Sequence, residues 1–414
     1  MKIIGIGAAG NKAAVRAIKH KVVDKKDVIL MNSTTQDFHI DDDKEDPIEN
    51  AILLYNTGGS GKERSIGKEI IKRYLTNSNE RQKLADFFPE TENHVVIVTS
   101  LAGGTGSGAT NILAAFCRDQ LDLDVTIVGF KGFNEDLREL QNTIEFFKEL
   151  RDDVTVQLID NSAFLKECNG NKVKAEEAAN DVFAQRIQIL SGSLMREGRQ
   201  NIDETELRKL VTQPGYQQVE TINLVGIKNK EDMNNAIKEM VDNSKAIRTI
   251  PSCINFGVIL NVRPETLNYF DFNYGTLKEL YGKTVEAFVH IQTPDESRRG
   301  KDDYEWMSII VSGLKLPKNE LERLYETYKD YSNNIDRSDD QFFDFADNLS
   351  VGAVTSRYNR GGRRRAQKNI DDIGDFMAAL NTARPNKKSS GKVEMRNRTE
   401  ADDAIDSLLD REKF

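Results

Sequence analysis

The sequence predicts an α/β protein in which a mostly parallel sheet domain is joined by a long core helix to a smaller α+β domain, with a disordered, charged C-terminal tail. Three observations predict it. Apolar runs alternate with helical patterns up to about residue 160, a three- and four-residue apolar spacing runs from Glu176 to about Gly198, and the composition turns to Asp, Asn, Ser, Arg and Gly after residue 331. The implied divisions are a sheet domain at 1–175, a central core helix at 176–199, a loop and second domain at 200–331, and a tail at 332–414.

Lys2–Gly5, Val28–Met31, His94–Ser100, Val125–Phe130 and Val154–Ile159 read as the strands of the first domain. VVIVTS and VTIVGF are apolar almost throughout, as strands buried on both faces should be. In the core helix, Phe183, Ile187, Leu190 and Leu194 recur at steps of four, three and four. Beyond Gln213-Pro214-Gly215, the runs Thr221–Ile227, Ile254–Leu260, Val285–Gln292 and Trp306–Leu314 supply strands for the second domain.

Composition narrows the function classes. No apolar stretch reaches the roughly 18–20 residues that span a bilayer, and the chain opens on a strand, so a cytoplasmic protein without a membrane partner is expected. The three cysteines, Cys117, Cys168 and Cys253, are far apart and form no C-x-x-C pair, which argues against a disulfide framework and a zinc site. A net charge of −9 gives no general reason for nucleic-acid binding, and no direct sequence-specific DNA contact is expected.

Two glycine-rich loops follow strands and precede helices. Gly5-Ile6-Gly7-Ala8-Ala9-Gly10 spells G-x-G-x-x-G, which could hold a dinucleotide, a nucleoside triphosphate or nothing. Ala102-Gly103-Gly104-Thr105-Gly106-Ser107-Gly108 is richer, with four glycines and two hydroxyls at a helix start, a composition suited to a polyphosphate. A dinucleotide fold needs an acid at the end of the second strand, where Asn32 stands instead. Gly61-Lys62 falls short of a Walker loop, because Asn56 and Glu63 occupy positions needing Gly and Ser or Thr. Lys62 and Arg64 could neutralise phosphate charge or form a solvated basic pair.

AGGTGSG after a buried strand resembles the glycine-rich signature of the tubulin and FtsZ superfamily of polymerising GTPases. GIGAAGN resembles that family's first phosphate loop, one residue shorter than in FtsZ, and MNSTTQDF is similar to its segment after the second strand. NTGGSGKERSIG resembles its third loop, which covers the γ-phosphate, while IDNSAF and AANDVFAQRI resemble the ribose and base segments. The short first loop, GKER and the charged tail bring the chain nearest the TubZ branch. The resemblance covers about residues 1–315 and implies GTP or GDP as ligand, with Mg²⁺ carried mainly by phosphate oxygens and water. It assigns nucleotide contacts to Gly7, Ala8, Ala9, Asn11, Asn32, Gly58, Gly59, Ala102, Gly103, Gly104, Thr105, Gly106, Ser107, Asn161, Asn180 and Asp181, with Glu135 at a spacing one residue off the FtsZ pattern. Asp181 would accept from the N1–H and amino group of guanine.

After the core helix, Asn201 and Glu204 read as a capping pair, with Asp203 and Glu206 on one face of the helix that follows. Two such carboxylates could polarise a water, or simply form an acidic helix start. By resemblance, Asn201, Asp203 and Glu206 would complete the active site of the next subunit. A helix of that length, rising about 1.5 Å per residue, carries them roughly 25 Å from Asp181, so a head-to-tail filament would be needed. The resemblance thus implies a GTPase activated by polymerisation that moves or positions plasmid or phage DNA. A basic run around Arg360–Lys368 could hold an acidic partner or phosphates or be a solvated linker, and an amphipathic end carrying Ala404, Ile405, Leu408 and Leu409 could fill a partner's groove. The resemblance implies a DNA-bound adaptor as the partner of the tail. A nucleotide-binding structural filament protein with little hydrolysis, and a dinucleotide oxidoreductase, remain as alternatives.

Overall fold

The computed structural model describes residues 1–36, 38, 48–55, 58–133, 136–247, 249, 251–295 and 304–334. Glu135 and the tail beyond residue 334 lie outside the described residues.

The apolar runs form a sheet that, among the described residues, has ten strands in the order β3-β2-β1-β4-β5-β6-β7-β10-β8-β9. In chain order these are β1 Lys2–Ile6, β2 Val28–Asn32, β3 Ala51–Leu53, β4 His94–Ser100, β5 Asp124–Lys131, β6 Thr155–Asp160, β7 Gly215–Asn223, β8 Asn255–Asn261, β9 Glu286–Gln292 and β10 Trp306–Leu314. Strands β1 to β6 pair in parallel, and their residues alternate between two helical layers. Ile3, Val96, Val98 and Phe130 face one layer, and Ile4, Ile6, Val95 and Ile97 face the other.

The helices are α1 Gly7–Lys19, α2 Arg64–Thr76, α3 Ser78–Asp86, α4 Thr105–Leu121, α5 Leu137–Lys148, α6 Lys172–Leu190, α7 Glu204–Thr212, α8 Lys230–Asp242, α9 Pro264–Leu267, α10 Gly275–Tyr281 and α11 Lys318–Asn334. Residues of α1 and α6 pack in the first layer, those of α2 and α4 in the second.

Several boundaries differ from those expected. The core helix α6 spans Lys172–Leu190, not 176–199: Asn171 caps its start, and Gly192, at φ +69°, turns the chain out of helical geometry. Leu194 therefore lies beyond the helix, beside a small apolar cluster around Ile189, Leu190 and Leu210. β7 begins at Gly215, before the expected Thr221, because Thr155 and Val156 of β6 pair with Gly215 and Tyr216. That short parallel pairing joins the strands of the second region to the first sheet, where β10 lies antiparallel between β7 and β8. The helix α11 runs through Asn334, past the boundary placed after residue 331, and rests on α5 through Leu140, Leu324 and Tyr328. Its Glu320 reaches the buried Lys131 ammonium at 2.6 Å, while Asp160 holds the same ammonium at 2.7 Å.

Among the described residues, no helix is long and apolar enough to cross a membrane.

At the start of β4, the buried His94 meets the Thr126 hydroxyl at 2.9 Å. Burial, and next the N-terminal ammonium, push its pKa down to about 4. The unfolded chain then binds more protons than the folded one between about pH 4 and 6.5, so stability rises with pH across that window. Urea unfolding at pH 7 and pH 4 should show His94→Gln losing up to about 3 kcal/mol less than the wild type on acidification.

Candidate functional site

Strand order reverses at β1, which lies between β2 and β4, and the crevice outside the carboxyl ends of such strands is where open α/β sheets hold ligands. Here β1 runs into α1 at Gly7 and β4 runs into α4 through Leu101–Gly104. The capping residues are Ile6 and Gly104, neither of which supplies a side-chain hydrogen bond, and neither helix carries an acid in its first turn. Helices α3, α5, α6, α7 and α8 are each capped by an Asn or Asp side chain. Two helix starts without a side-chain cap, each with a positive dipole end, thus meet at one crevice.

Glycine lets the loops come together. Gly7 has φ +74°, and a Cβ there would stand 3.1 Å from the Gly106 nitrogen. At Gly104 a Cβ would meet Ser60 Oγ at 2.5 Å and the backbone of Lys62 and Glu63 at 2.7 Å, so the 58–63 loop lies directly over the second glycine loop.

The resulting cleft encloses about 460 Å³. Gly7, Ala8, Ala9, Asn32, Gly59, Ala102, Gly103, Gly104, Thr105, Gly106, Asn161 and Asn180 all line it, so most residues expected from the glycine-rich segments come together. Asn161 Oδ1 is buried without a hydrogen-bond partner, an acceptor available to a ligand hydroxyl. Phe130 and Phe133 give the same end of the cleft an apolar wall.

Four expected residues stand elsewhere. Asn11 is fully buried behind the first loop, with neither amide atom paired, and Gly58 adjoins the lining. The Ser107 hydroxyl donates back to the Gly103 carbonyl within its own turn. Asp181, next to the lining residue Asn180, turns away toward α1, where Arg16 Nη2 donates to it at 2.9 Å and His20 Nε2 lies at 2.8 Å. Burial favours the neutral acid, but the hydrogen bonds from Arg16 and His20 outweigh it and hold the carboxyl below its ordinary value.

Sequence reasoning left out Lys12, Ser33, Thr34, Gln36, Ser60, Phe133, Glu139 and Glu176 from the lining. Glu176 precedes Asn180 by four, which puts the two on one helix face, a usable signal. Glu139 and Phe133 reach the cleft from the segment after β5, which no local pattern links to the glycine loops.

Lys62 and Arg64, alike in sequence, have different surroundings. Arg64 is buried, and its guanidinium makes two hydrogen bonds to Glu149, at 2.8 and 2.6 Å. Burial opposes ionisation of Glu149, yet the hydrogen bonds from Arg64 lower its pKa on balance. Lys62 lines the cleft, its ammonium donating to Asp136 at 2.7 Å and Glu139 at 2.8 Å.

Asn201, Asp203 and Glu206 sit far from the cleft. Arg208 of α7 donates to Asp124, the first residue of β5, at 2.8 Å, whereas Phe130 and Gly132 line the cleft at that strand's other end. Seven steps of strand separate those ends by about 23 Å. The capping pair is Asp203 and Glu206, not Asn201 and Glu204: the Glu206 N–H donates to Asp203 Oδ1 at 2.8 Å and the Asp203 N–H to Glu206 Oε2 at 3.1 Å. Asp203 is still extended, at ψ 171°, so the helix starts at Glu204, and Asn201 instead accepts from the Gly198 N–H. Among the described residues, no group of three or more His, Cys, Asp or Glu side chains is arranged to hold a metal ion.

Residues 1–169 match the Tubulin/FtsZ family, GTPase domain. The chain is 24% identical over 334 residues to the cell division protein FtsZ of Buchnera aphidicola subsp. Acyrthosiphon pisum, covering 77% of this chain and 80% of that protein. Its fold is similar to that of Clostridium botulinum phage c-st TubZ, with a TM-score of 0.62 and 18% identity over 80% of this chain and 97% of the other. It is also similar to CetZ2 from Haloferax volcanii, solved as a GTPγS-bound protofilament, with a TM-score of 0.63 and 18% identity over 80% and 99% of the two chains.

Removing the partner of the buried Arg64 strands a guanidinium. Glu149→Ala should therefore lower the free energy of unfolding by about 3–5 kcal/mol in urea titrations, whereas Glu145→Ala, at the more distant partner of Arg64, should cost about 1 kcal/mol or less.

Proposed function

Since residues 1–169 belong to the Tubulin/FtsZ family, GTPase domain, we propose that the chain binds GTP and hydrolyses it to GDP and phosphate within head-to-tail filaments of itself. The observation that carries this reading is the meeting of two uncapped helix starts in one cleft, which supplies N–H donors and positive dipole ends to a polyphosphate. The phosphates lie against Gly7–Ala9 and Ala102–Gly106 beneath the 58–63 loop, and the ribose and base lie toward Asn161, Phe133, Glu176 and Asn180. Asn180 faces the cleft in the role first given to Asp181, and its amide can both donate to and accept from a guanine edge. Mg²⁺ bound to the triphosphate supplies charge neutralisation, and no side chain is assigned to it.

Hydrolysis needs a water aligned on the γ-phosphorus and a group to take its proton. Asp203 and Glu206 stand at the opposite pole from the cleft of their own chain, so in this reading they serve the nucleotide of the next subunit. One carboxylate accepts the water proton as the new P–O bond forms and the β,γ-bridging P–O bond breaks, releasing GDP. Asn201 orients the turn that presents them. Loss of the γ-phosphate then weakens the contact between subunits, giving a filament that turns over. The protofilament form of the CetZ2 neighbour supports the assembly part of the reading. In this reading, which follows the resemblance to the TubZ branch, the cargo is plasmid or phage DNA, joined through an adaptor that holds the C-terminal tail, and the protein works in the cytoplasm.

A second reading is favoured by the capping box: each carboxylate already serves the start of α7, as in a filament protein that binds nucleotide and hydrolyses it poorly. The two readings separate in one experiment. GTP hydrolysis per molecule is followed with pelleting as protein concentration rises, for the wild type and for Asp203→Asn with Glu206→Gln, changes that keep the cap but remove the carboxylates. A shared catalytic site requires both signals to appear above a common threshold, with turnover in the double variant reduced about 10²-fold or more while filaments persist. Equal turnover in variant and wild type would favour the structural filament.

A further inference from the structure

Asp203 and Glu206 stand in the largely exposed first turn of α7, and the chain reaches them through residues 191–203, which form neither helix nor strand apart from one bridge. A connection of that length owes its path to what holds it. The end of β9 does so. The Gln292 side chain, 2% exposed, accepts from the Arg196 N–H through Oε1 at 2.7 Å and donates from Nε2 to the Leu194 carbonyl at 3.1 Å. One amide thereby satisfies two backbone groups of the connection. Just beyond, the Arg199 N–H donates to the Ile291 carbonyl at 2.8 Å and the Ile291 N–H donates to the Gln200 carbonyl at 2.8 Å, a single antiparallel bridge on the free edge of β9. A Cβ at Gly198 would run into that Ile291 carbonyl, so glycine is what lets the chain cross so closely.

Gln292 is itself fixed. Asn261, its register partner on β8, is fully buried, accepts from Gln292 Nε2 at 3.3 Å and donates to the Tyr304 carbonyl at 2.9 Å. His290 Nε2 lies 3.0 Å from Gln292 Oε1, and because that oxygen only accepts, the imidazole proton sits on Nε2. Arg196 adds a second fastening, its Nη2 donating to Asn261 Oδ1 at 3.0 Å and to the Thr293 carbonyl at 3.1 Å. Apolar packing is non-directional and would let the connection slide, whereas hydrogen bonds to named backbone atoms set its register. From this anchor the path to the carboxylates is short. Asn201 closes on the Gly198 N–H, Ile202 is buried with Ile189 and Leu190, and Asp203 then caps α7.

We propose that Gln292 is a positioning residue for GTP hydrolysis in the cleft of the next subunit: its amide fixes residues 194–196 on the end of β9, and with the bridge at Ile291 it sets where Asp203 and Glu206 are presented. This rests on the reading in which those carboxylates act on the neighbouring nucleotide. Gln292 touches no substrate and acts only through the turn. A displacement of about 1 Å in such a support can cost about 10²-fold in rate, while the nucleotide is still held by a cleft that the turn does not line.

The test follows GTP turnover per pelleted subunit, and GTPγS affinity below the assembly threshold, for the full chain as wild type, Gln292→Met, Arg196→Ala and the double variant Asp203→Asn with Glu206→Gln. Methionine keeps the length of the side chain and removes both hydrogen bonds to the connection. Gln292→Met should lower turnover about tenfold or more and Arg196→Ala about threefold, each with GTPγS affinity within about twofold of the wild type. The Arg196 side chain is 37% exposed, so its removal leaves the Gln292 amide in place, and this variant decides the question if Gln292→Met does not fold. Wild-type turnover in the deciding variant, while the double variant loses turnover, would overturn the proposal. So would a fall in GTPγS affinity in step with turnover, since Gln292 would then serve the stability of the whole chain. A double variant that turns over GTP like the wild type would instead overturn the reading of the two carboxylates, and the positioning role with it.

Discussion

The structure turns on the unmet hydrogen-bonding capacity of two helix starts. At the first turns of α1 and α4 the backbone N–H groups have no side-chain cap, although the same chain caps five other helices with Asn or Asp. An anion at this crevice satisfies several donors and two dipole ends at once. Residues with side chains would keep the loops apart, which is why Gly7 and Gly104 stand where β1 and β4 give way to their helices. The reversal of strand order at β1 brings the two starts together, so topology and local chemistry act at one point.

Around that point, α5 acts as a common support. Its Asn142 ties together the two loops that cover the cleft, and its Glu139 and capping Asp136 hold the Lys62 ammonium. Glu149, just beyond its end, carries the buried Arg64 at the start of α2, and Leu140 supports α11. A shift of α5 would therefore be felt by the covering loop, by α2 and by the last described helix together. The buried Lys131, between Asp160 and Glu320, adds a second fastening of α11 beside the cleft wall formed by Phe130 and Gly132.

The arrangement of α6 and α7 separates binding from the proposed chemistry. Asn180 lines the cleft from the N-terminal half of α6, and α7 packs at the other end of β5. Within one chain no motion of a capped helix start would close a gap of about 23 Å. In the proposed reading a second copy supplies these carboxylates, since the same chain presents a cleft at one pole and carboxylates at the other.

The sequence by itself determined the alternation of buried strands and helices, the glycine-rich loops and the acidic turn before α7, because each is written in adjacent residues: apolar runs, glycines and a capping pattern. It also carried most of the cleft, since Gly7, Ala8 and Ala9 and the residues from Ala102 to Gly106 belong to continuous segments. Tertiary structure decided what direction and distance control. Neighbours on a helix point about 100° apart, so Asn180 enters the cleft while Asp181 pairs with Arg16. Lys62 and Arg64, two residues apart, divide between a half-exposed pair at the cleft mouth and a buried one with Glu149. The choice of Asp203 and Glu206 as the cap depended on where the backbone turns helical, two residues later than the pattern suggested. Glu139 and Phe133 entered the site because parallel pairing of β4 with β5 sets the loops after both strands side by side, a nearness between segments that only the folded chain creates.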